Sequence, residues 1–232
     1  MVVNDNLLLI RNYDLWSELS DEDYDELNVV HNFLEAKKND YIYFDSHFLN
    51  KLFFLKKGNI RIGYIDESGN EVVREIIQKG EVFGQISLER NNLNGEFAQA
   101  HRADVSLCAF NIEDFQKILE RKPQIALRFS KQVGHKLQHL ELRLTNLLNK
   151  DVKSRLIHFF LMLIRQPKGI DSDVADMPNY LTHEDIAHLI GSSRQTVTTL
   201  VNELEQEGYL QFSRKRILVP SVKKLQNRLN VK

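Results

Sequence analysis

Residues 181–220, LTHEDIAHLIGSSRQTVTTLVNELEQEGYLQFSRKRILVP, decide how the chain is read. Thr182, with Asp185 three residues on, predicts a capped start to a short amphipathic helix. Ile186, Leu189 and Ile190 face inward on it, and Ala187 allows close approach of a neighbour. Gly191 ends that helix, and Ser192 with Gln195 predicts a second capping box opening the next one. Val197, Leu200, Val201 and Leu204 form the buried stripe of this second helix. Opposite the stripe its opening turns expose Arg194, Gln195, Thr198 and Thr199, preceded by Ser193. These side chains supply donors, acceptors and a methyl group suited to base edges and phosphates. Two helices about one tight turn, with the second presenting such residues, form a DNA-reading helix-turn-helix. Small helical pairs also occur in modules that contact protein. The segment after Gly208 separates the two possibilities, because YLQF, SRK and RILVP predict a two-stranded wing with Arg214, Lys215 and Arg216 at its tip. A basic tip suits phosphate.

Upstream, residues 167–178 form a Pro- and Asp-rich connection that stops an apolar helix, SRLIHFFLMLIRQ, at 154–166. Before it, residues 124–149 carry no breaker other than Gly134 and predict one long helix. Val133, Leu137, Leu140, Leu144 and Leu147 lie four, three, four and three apart along it, which is a heptad seam. Such a seam packs against the same helix of a second copy, or else marks an intramolecular core helix. Leu142 and Leu148 lie off the seam and are expected to form a second face that packs back on the preceding domain.

That preceding domain, from about Asp40 to Phe110, consists of short β-type runs punctuated by Gly58, Gly69, Gly80 and Gly84. Ile60, Ile62 and Tyr64, and likewise Val72, Arg74 and Ile76, alternate so that one face of each strand is expected inward. Residues 66–70, DESGN, predict a hairpin loop, and the whole reads as an antiparallel roll or barrel. The fold class is therefore α+β, with a β-roll sensor domain at 1–123, a dimerisation helix at 124–150 and a winged helix-turn-helix at 151–232.

Composition restricts the function further. The chain has 232 residues, 42% of them hydrophobic and 27% charged, which is ample for a buried core. Its first sixteen residues hold an apolar run of only four, too short for a leader or a membrane span, so a cytoplasmic protein with no membrane partner is expected. Cys108 is a lone cysteine, expected to be buried in a strand, and one thiolate does not hold an iron-sulfur cluster or a structural zinc. The net charge of −1 conceals an asymmetry, since residues 178–232 carry eight Lys or Arg against five Asp or Glu, a net +3, leaving −4 elsewhere. A mildly basic end on an acidic body favours an anionic partner for that end. His183-Glu184 followed by His188 has the look of a zinc-protease helix, but the gap of five residues, not four, turns the two rings about 140° apart. Glu184 is a first-turn acid facing the helix dipole, and no other catalytic constellation stands out, so the chain is not read as an enzyme.

Three segments in order carry a resemblance: FFLKKGNIRIGYIDESGNEVVREIIQKGEVFGQISL at 53–88, the long helix, and IAHLIGSSRQTVTTLVNELEQEGYL at 186–210. Together they resemble the CRP/FNR family of bacterial regulators, named after the cyclic AMP receptor protein and the fumarate and nitrate reduction regulator. The resemblance implies a homodimer that binds double-stranded DNA at an inverted repeat, an effector site in the roll, and RNA polymerase as a partner. It also implies where the effector site lies: around Gly84, Gln85 and Ile86 on one side and Phe97 and Ala98 on the other, with Arg102 near in sequence. Members that take cyclic AMP pair Gly-Glu with Arg-Ser at these places. Here the phosphate-binding arginine is missing, which argues against cyclic AMP as the ligand. An N-terminal cysteine set is also missing, which argues against an iron-sulfur cluster. The eight histidines, including His101 in the roll and the i, i+4 pair His135 and His139 on the long helix, leave haem open as a cofactor. The sequence thus supports a DNA-binding regulator whose effector is not cyclic AMP, or which has none. The alternative is a haem or small-molecule sensor whose C-terminal module docks on protein.

Overall fold

Strand β3, Lys51–Ile65, is the hub of the first half of the chain. Its opening run LFFL is apolar at every position because both of its faces are covered, as near-continuous apolar strands require. Phe53 and Leu55 point into one cluster with Tyr43, Ile60, Ile62, Phe83, Ala98 and Ala100. Leu52 and Phe54 point into another with Cys108, Phe110, Phe115, Ile125 and Phe129. The computed structural model describes residues 31–44, 50–86, 95–164 and 173–229, and the chain divides into two compact units, Met1–Gln138 and His139–Lys232. The division falls inside the long helix. The N-terminal segment considered for a leader, the end of the QISL run and most of the Pro- and Asp-rich connection lie outside the described residues.

The first unit is an antiparallel sheet in the order β1 (His31–Ala36), β6 (Glu96–Asn111), β3, β4 (Glu71–Ile77), with β2 (Tyr41–Phe44) also on β6 and β5 (Val82–Gly84) also on β3. β3 and β6 are long enough to turn a corner together, and their register shifts between Leu55 and Asn59 to do so. The expected hairpin is present: the Asp66 side chain accepts from the Ser68 and Asn70 amides at 2.9 and 2.8 Å, closing the loop between β3 and β4. Its burial alternation differs from expectation. Ile60 and Ile62 are buried but Tyr64, one residue from the end of β3, is exposed; the register shift at Ile62–Gly63 leaves the extra residue, Arg74, on β4, where Glu75 pairs with Ile62 and Val73 with Gly63. On β4 the buried residues are Val73 and Ile77, while Arg74 is exposed and Val72 and Ile76 are half-buried. The second cluster is closed by helix α1 (Ile112–Arg121) and by the start of helix α2 (Pro123–Asn149) through Ile125 and Phe129. Cys108 is fully buried, and burial pushes its thiol up to about 12, so it behaves as a small hydrophobe.

Val133 also packs on that second cluster, so the seam position nearest the roll is used within the chain. The other four, Leu137, Leu140, Leu144 and Leu147, are exposed along α2. Leu142 and Leu148, off the seam, are 53% and 74% exposed, and within the first unit the face of α2 that packs on the roll carries Ile125, Phe129 and Val133.

In the second unit Asp151 caps α3 (Val152–Leu163) by accepting from the Ser154 amide at 2.7 Å. Its Leu156, Ile157 and Phe160 are buried. The expected helix pair is next, as α4 (His183–Ile190) and α5 (Arg194–Gln206). The wing has three strands where two were expected, in the order β7 (Ala175–Pro178), β9 (Arg216–Val219), β8 (Gln211–Phe212). β7 comes from the stretch expected to be a connection, and its Pro178 stands at the strand end, where proline is tolerated. Helix α6 (Val222–Arg228) ends the described chain.

Candidate nucleic-acid interface

The turn between α4 and α5 is specified by local chemistry. Thr182 and Asp185 form the full reciprocal capping box, with the Asp185 amide donating to Thr182 Oγ1 at 2.9 Å and the Thr182 amide donating to Asp185 Oδ2 at 2.7 Å. Asp185 is buried while making these bonds, so its carboxylate is satisfied locally. Gly191 stops α4 at φ 64, and a β-carbon there would lie 2.8 Å from Leu147 Cδ2, so a side chain at this position costs both backbone strain and space. Two arginines close the end of α4, with Arg143 donating to the His188 carbonyl at 3.3 Å and Arg155 to the Gly191 carbonyl at 3.0 Å.

The residue that caps α5 is Ser193, not Ser192. Ser193 Oγ accepts from the Thr196 amide at 3.1 Å, whereas the Ser192 amide is used to finish α4 by donating to the Ala187 carbonyl at 2.9 Å. Val197, Val201 and Leu204 are fully buried and Leu200 is half-buried, so the stripe fixes which face of α5 looks outward. Arg194, Gln195 and Thr199 are exposed on that outward face. Arg194 is 72% exposed and its guanidinium lies 3.9 Å from Glu184, a pairing loose enough to be exchanged for a ligand. Thr198 is placed differently: it is half-buried, and its hydroxyl donates to the Arg194 carbonyl at 2.9 Å.

The acids of α5 are drawn into internal bonds. Glu205 accepts from the Phe212 amide at 2.6 Å, tying the wing to the helix. Lys153 bonds Glu203 at 3.1 Å and Glu207 at 3.0 Å. The hydrogen bond from Lys153 holds the Glu207 carboxyl below its ordinary range. Lys153 itself is raised, because these two carboxylates outweigh the opposing effect of burial. The negative charge of α5 is thus compensated toward its C-terminal end, away from Arg194.

At the wing, Arg214 and Lys215 are exposed in the turn between β8 and β9. Arg216 is exposed too, but both arms of its guanidinium bond the Asp176 carboxylate on β7, a contact invisible to a reading that had no strand there.

The roll residues assigned to an effector divide between two faces. Gly84 adopts φ 90, and a β-carbon on it would meet the Lys51 carbonyl at 2.6 Å. Gln85 is 5% exposed and its side-chain amide nitrogen has no hydrogen-bond partner among the described residues. Ile86 packs on the cluster beneath α1. Ala98 lines the interior cluster together with Phe83, the neighbour of Gly84. Phe97, one residue away, points to the opposite face of β6, edge-on to Tyr41 at 5.9 Å and under the Arg61 guanidinium at 5.5 Å. Arg102 is half-buried at φ 66 in the corner of β6. The residue on the interior face beside Ala98 is Glu96, which sequence reasoning missed. It is buried, and accepts from Tyr43 Oη at 2.7 Å and from Arg74 at 2.5 Å. Of the histidines considered for haem, His101 is buried in β6, and His135 and His139 are exposed on α2.

Comparisons with known proteins agree with this architecture. A Crp-like helix-turn-helix domain matches residues 154–228, and a cyclic nucleotide-binding domain matches residues 33–122. The global nitrogen regulator of Synechococcus elongatus is 30% identical over 184 residues, covering 77% of this chain and 81% of the relative. The cAMP-activated global transcriptional regulator CRP of Pasteurella multocida is 25% identical over 169 residues, covering 72% of this chain and 80% of the relative. A CooA mutant structure from Carboxydothermus hydrogenoformans superposes with a TM-score of 0.73 at 23% identity, covering 99% of this chain and 97% of that one. FixK2 from Bradyrhizobium japonicum gives a TM-score of 0.71 at 21% identity, covering 85% and 96%. Among the described residues no helix is long and apolar enough to cross a membrane. With a winged helix-turn-helix, a β-roll and a relative of this identity across most of its length, the chain belongs to the CRP/FNR family of DNA-binding transcription regulators, which are not enzymes.

Proposed function

We propose that the protein is a cytoplasmic homodimer that binds an inverted-repeat site in double-stranded DNA, with α5 as its recognition helix. The observation that carries this reading is the exposed face of the opening turns of α5, where Arg194, Gln195 and Thr199 stand free of the core while the acids of the same helix are paired elsewhere. Arg194 has the planar fork that matches guanine O6 and N7, and Gln195 suits adenine or the backbone. Ser193 and the wing residues Arg214, Lys215 and Arg216 face phosphate, with Arg216 also holding β7 through Asp176. Thr198 contributes its methyl group and the placement of Arg194, since its hydroxyl is already engaged. Leu137, Leu140, Leu144 and Leu147 meet their counterparts in a second copy, which sets two recognition helices about one helical turn of DNA apart. RNA polymerase is the downstream partner. Binding to such a duplex weakens as salt rises, with the slope of log affinity against log salt set by the phosphates neutralised. Fluorescence anisotropy between 50 and 200 mM salt, roughly the range over which counterion release is readily measured, tests this. A salt-independent signal, or none, contradicts it.

The effector of the roll, on this reading, is something other than cyclic AMP, or there is none. On the interior face beside Ala98 the nearest cation, Arg74, is already committed to the Glu96 carboxylate, and neither Phe97 nor Ala98 offers a charge-assisted donor. Arg102 sits at the corner of the sheet. Titration calorimetry with millimolar cyclic AMP is therefore expected to give no specific heat. A micromolar dissociation constant contradicts the assignment and points to Arg74 or Arg102 as a substitute cation.

A further inference from the structure

The histidine that opens α4 is not among the residues assigned to DNA, yet it touches the elements that set the recognition helix. His183 Nδ1 lies 2.8 Å from Thr198 Oγ1 on α5. Its ring packs on Phe212 of β8 with centroids 5.0 Å apart. Thr198 Oγ1 in turn donates its single proton to the carbonyl of Arg194, at 2.9 Å. That proton is spent, so the contact with His183 requires Nδ1 to carry the hydrogen and donate to the hydroxyl oxygen. A directional chain results, running from His183 Nδ1–H through the Thr198 hydroxyl to the Arg194 carbonyl. Burial and the neighbouring Arg194 hold the His183 imidazole below its ordinary pKa, which keeps the ring neutral.

The geometry points to His183 as a positioning residue for base recognition: through Thr198 it fixes the first turn of α5, and with it the direction of the Arg194 side chain, against the wing. This rests on the reading of α5 as the recognition helix. Because His183 acts on where Arg194 points and not on charge, its loss should reduce preference for the correct site and leave general attraction to DNA intact.

The test measures binding of two duplexes by fluorescence anisotropy, one selected from random DNA by the wild-type chain and one of unrelated sequence. His183→Ala is expected to weaken the selected duplex about fivefold to tenfold, the worth of one hydrogen bond, with the unrelated duplex unchanged. His183→Asn places an amide N–H near the position of Nδ1 and is expected to restore binding to within about twofold, whereas His183→Gln, which reaches toward Nε2, behaves like Ala. In a Thr198→Val background His183→Ala should have no further effect, since the two act through one chain. Equal loss on both duplexes indicates general unfolding and overturns the proposal, as do an unchanged preference in His183→Ala and a failure of Asn to rescue. If the wild-type chain selects no duplex, the assignment of α5 falls as well. If it selects one that Arg194→Ala relaxes and His183→Ala does not, only the role of His183 falls.

Discussion

Replacing Leu140 and Leu144 together by Asp is expected to convert the dimer to a monomer and to abolish site-specific DNA binding. Both side chains lie on one stripe of α2 and are 50% and 58% exposed in the single chain, an unusual state for leucines spaced as a heptad seam. Burying a leucine fully contributes roughly 1.5 to 3 kcal/mol, and since about half of each side chain is already covered within the chain, two from each copy give about 3 to 6 kcal/mol before the cost of association. The substitution removes that contribution and sets acids against acids across the two-fold axis. Dimer dissociation is therefore expected to rise by more than about a hundredfold, which sedimentation equilibrium reads directly. DNA binding fails with it, because one recognition helix engages one half-site only. Leu142→Asp with Leu148→Asp, both off the seam and exposed, is the matched control, since it adds the same charge to the same helix. An unchanged dimer in the double variant would mean that the seam serves some other contact.

The second large effect lies in the roll. Phe53 stacks on Phe83 with ring centroids 5.0 Å apart and planes 18° from parallel, and on Tyr43 at 5.9 Å. It is 2% exposed at the centre of the interior cluster, so truncation leaves a cavity that its aromatic neighbours fill only in part. Phe53→Ala is expected to cost about 3 to 5 kcal/mol and to lower the calorimetric unfolding midpoint of the roll by roughly 10 °C or more. Phe53→Leu retains most of the volume and should cost far less. A shift below about 3 °C for the alanine variant would contradict the packing described. The Tyr43 hydroxyl bonded to Glu96 extends the same stack, so loosening it reaches the interior face where an effector would bind.

Elements whose specification is local are readable from the chain. The Thr182–Asp185 capping box, the stop at Gly191, the buried stripe of α5 and the Asp66–Asn70 hairpin each follow from residues within one or two turns. Sequence and structure part where a distant partner decides. Ser192 and Ser193 are equivalent by spacing, and only the bond from the Ser192 amide back to Ala187 shows that the first serine belongs to the previous helix. The segment ADMP has no strand signature of its own, and pairing with β9 makes it strand β7. Strand β1 joins the roll in the same way, through pairing with the far end of β6. Tyr64 keeps the facing of Ile60 and Ile62, since it pairs with Glu96 in unbroken register, but it stands one residue from the end of β3 and is exposed, which alternation alone does not show. On β6 the spacing alone does not say which neighbour of Ala98 shares its interior face, and the structure puts Glu96 there and Phe97 on the other side. At the DNA site the exposed residues are readable, but the engagement of Thr198 with Arg194 and His183, and of Arg216 with Asp176, is not.

The central claim, that a dimer reads DNA through the first turn of α5, is tested most directly by selection from random duplex DNA with the wild-type chain and Arg194→Ala in parallel. The wild type is expected to return an inverted repeat with half-site centres about one helical turn apart. Arg194→Ala is expected to lose discrimination at one symmetric position in each half-site, by about 1 to 3 kcal/mol, while its affinity for unrelated duplex stays nearly the same. The same motif recovered from both proteins, or no motif from the wild type, would contradict the account.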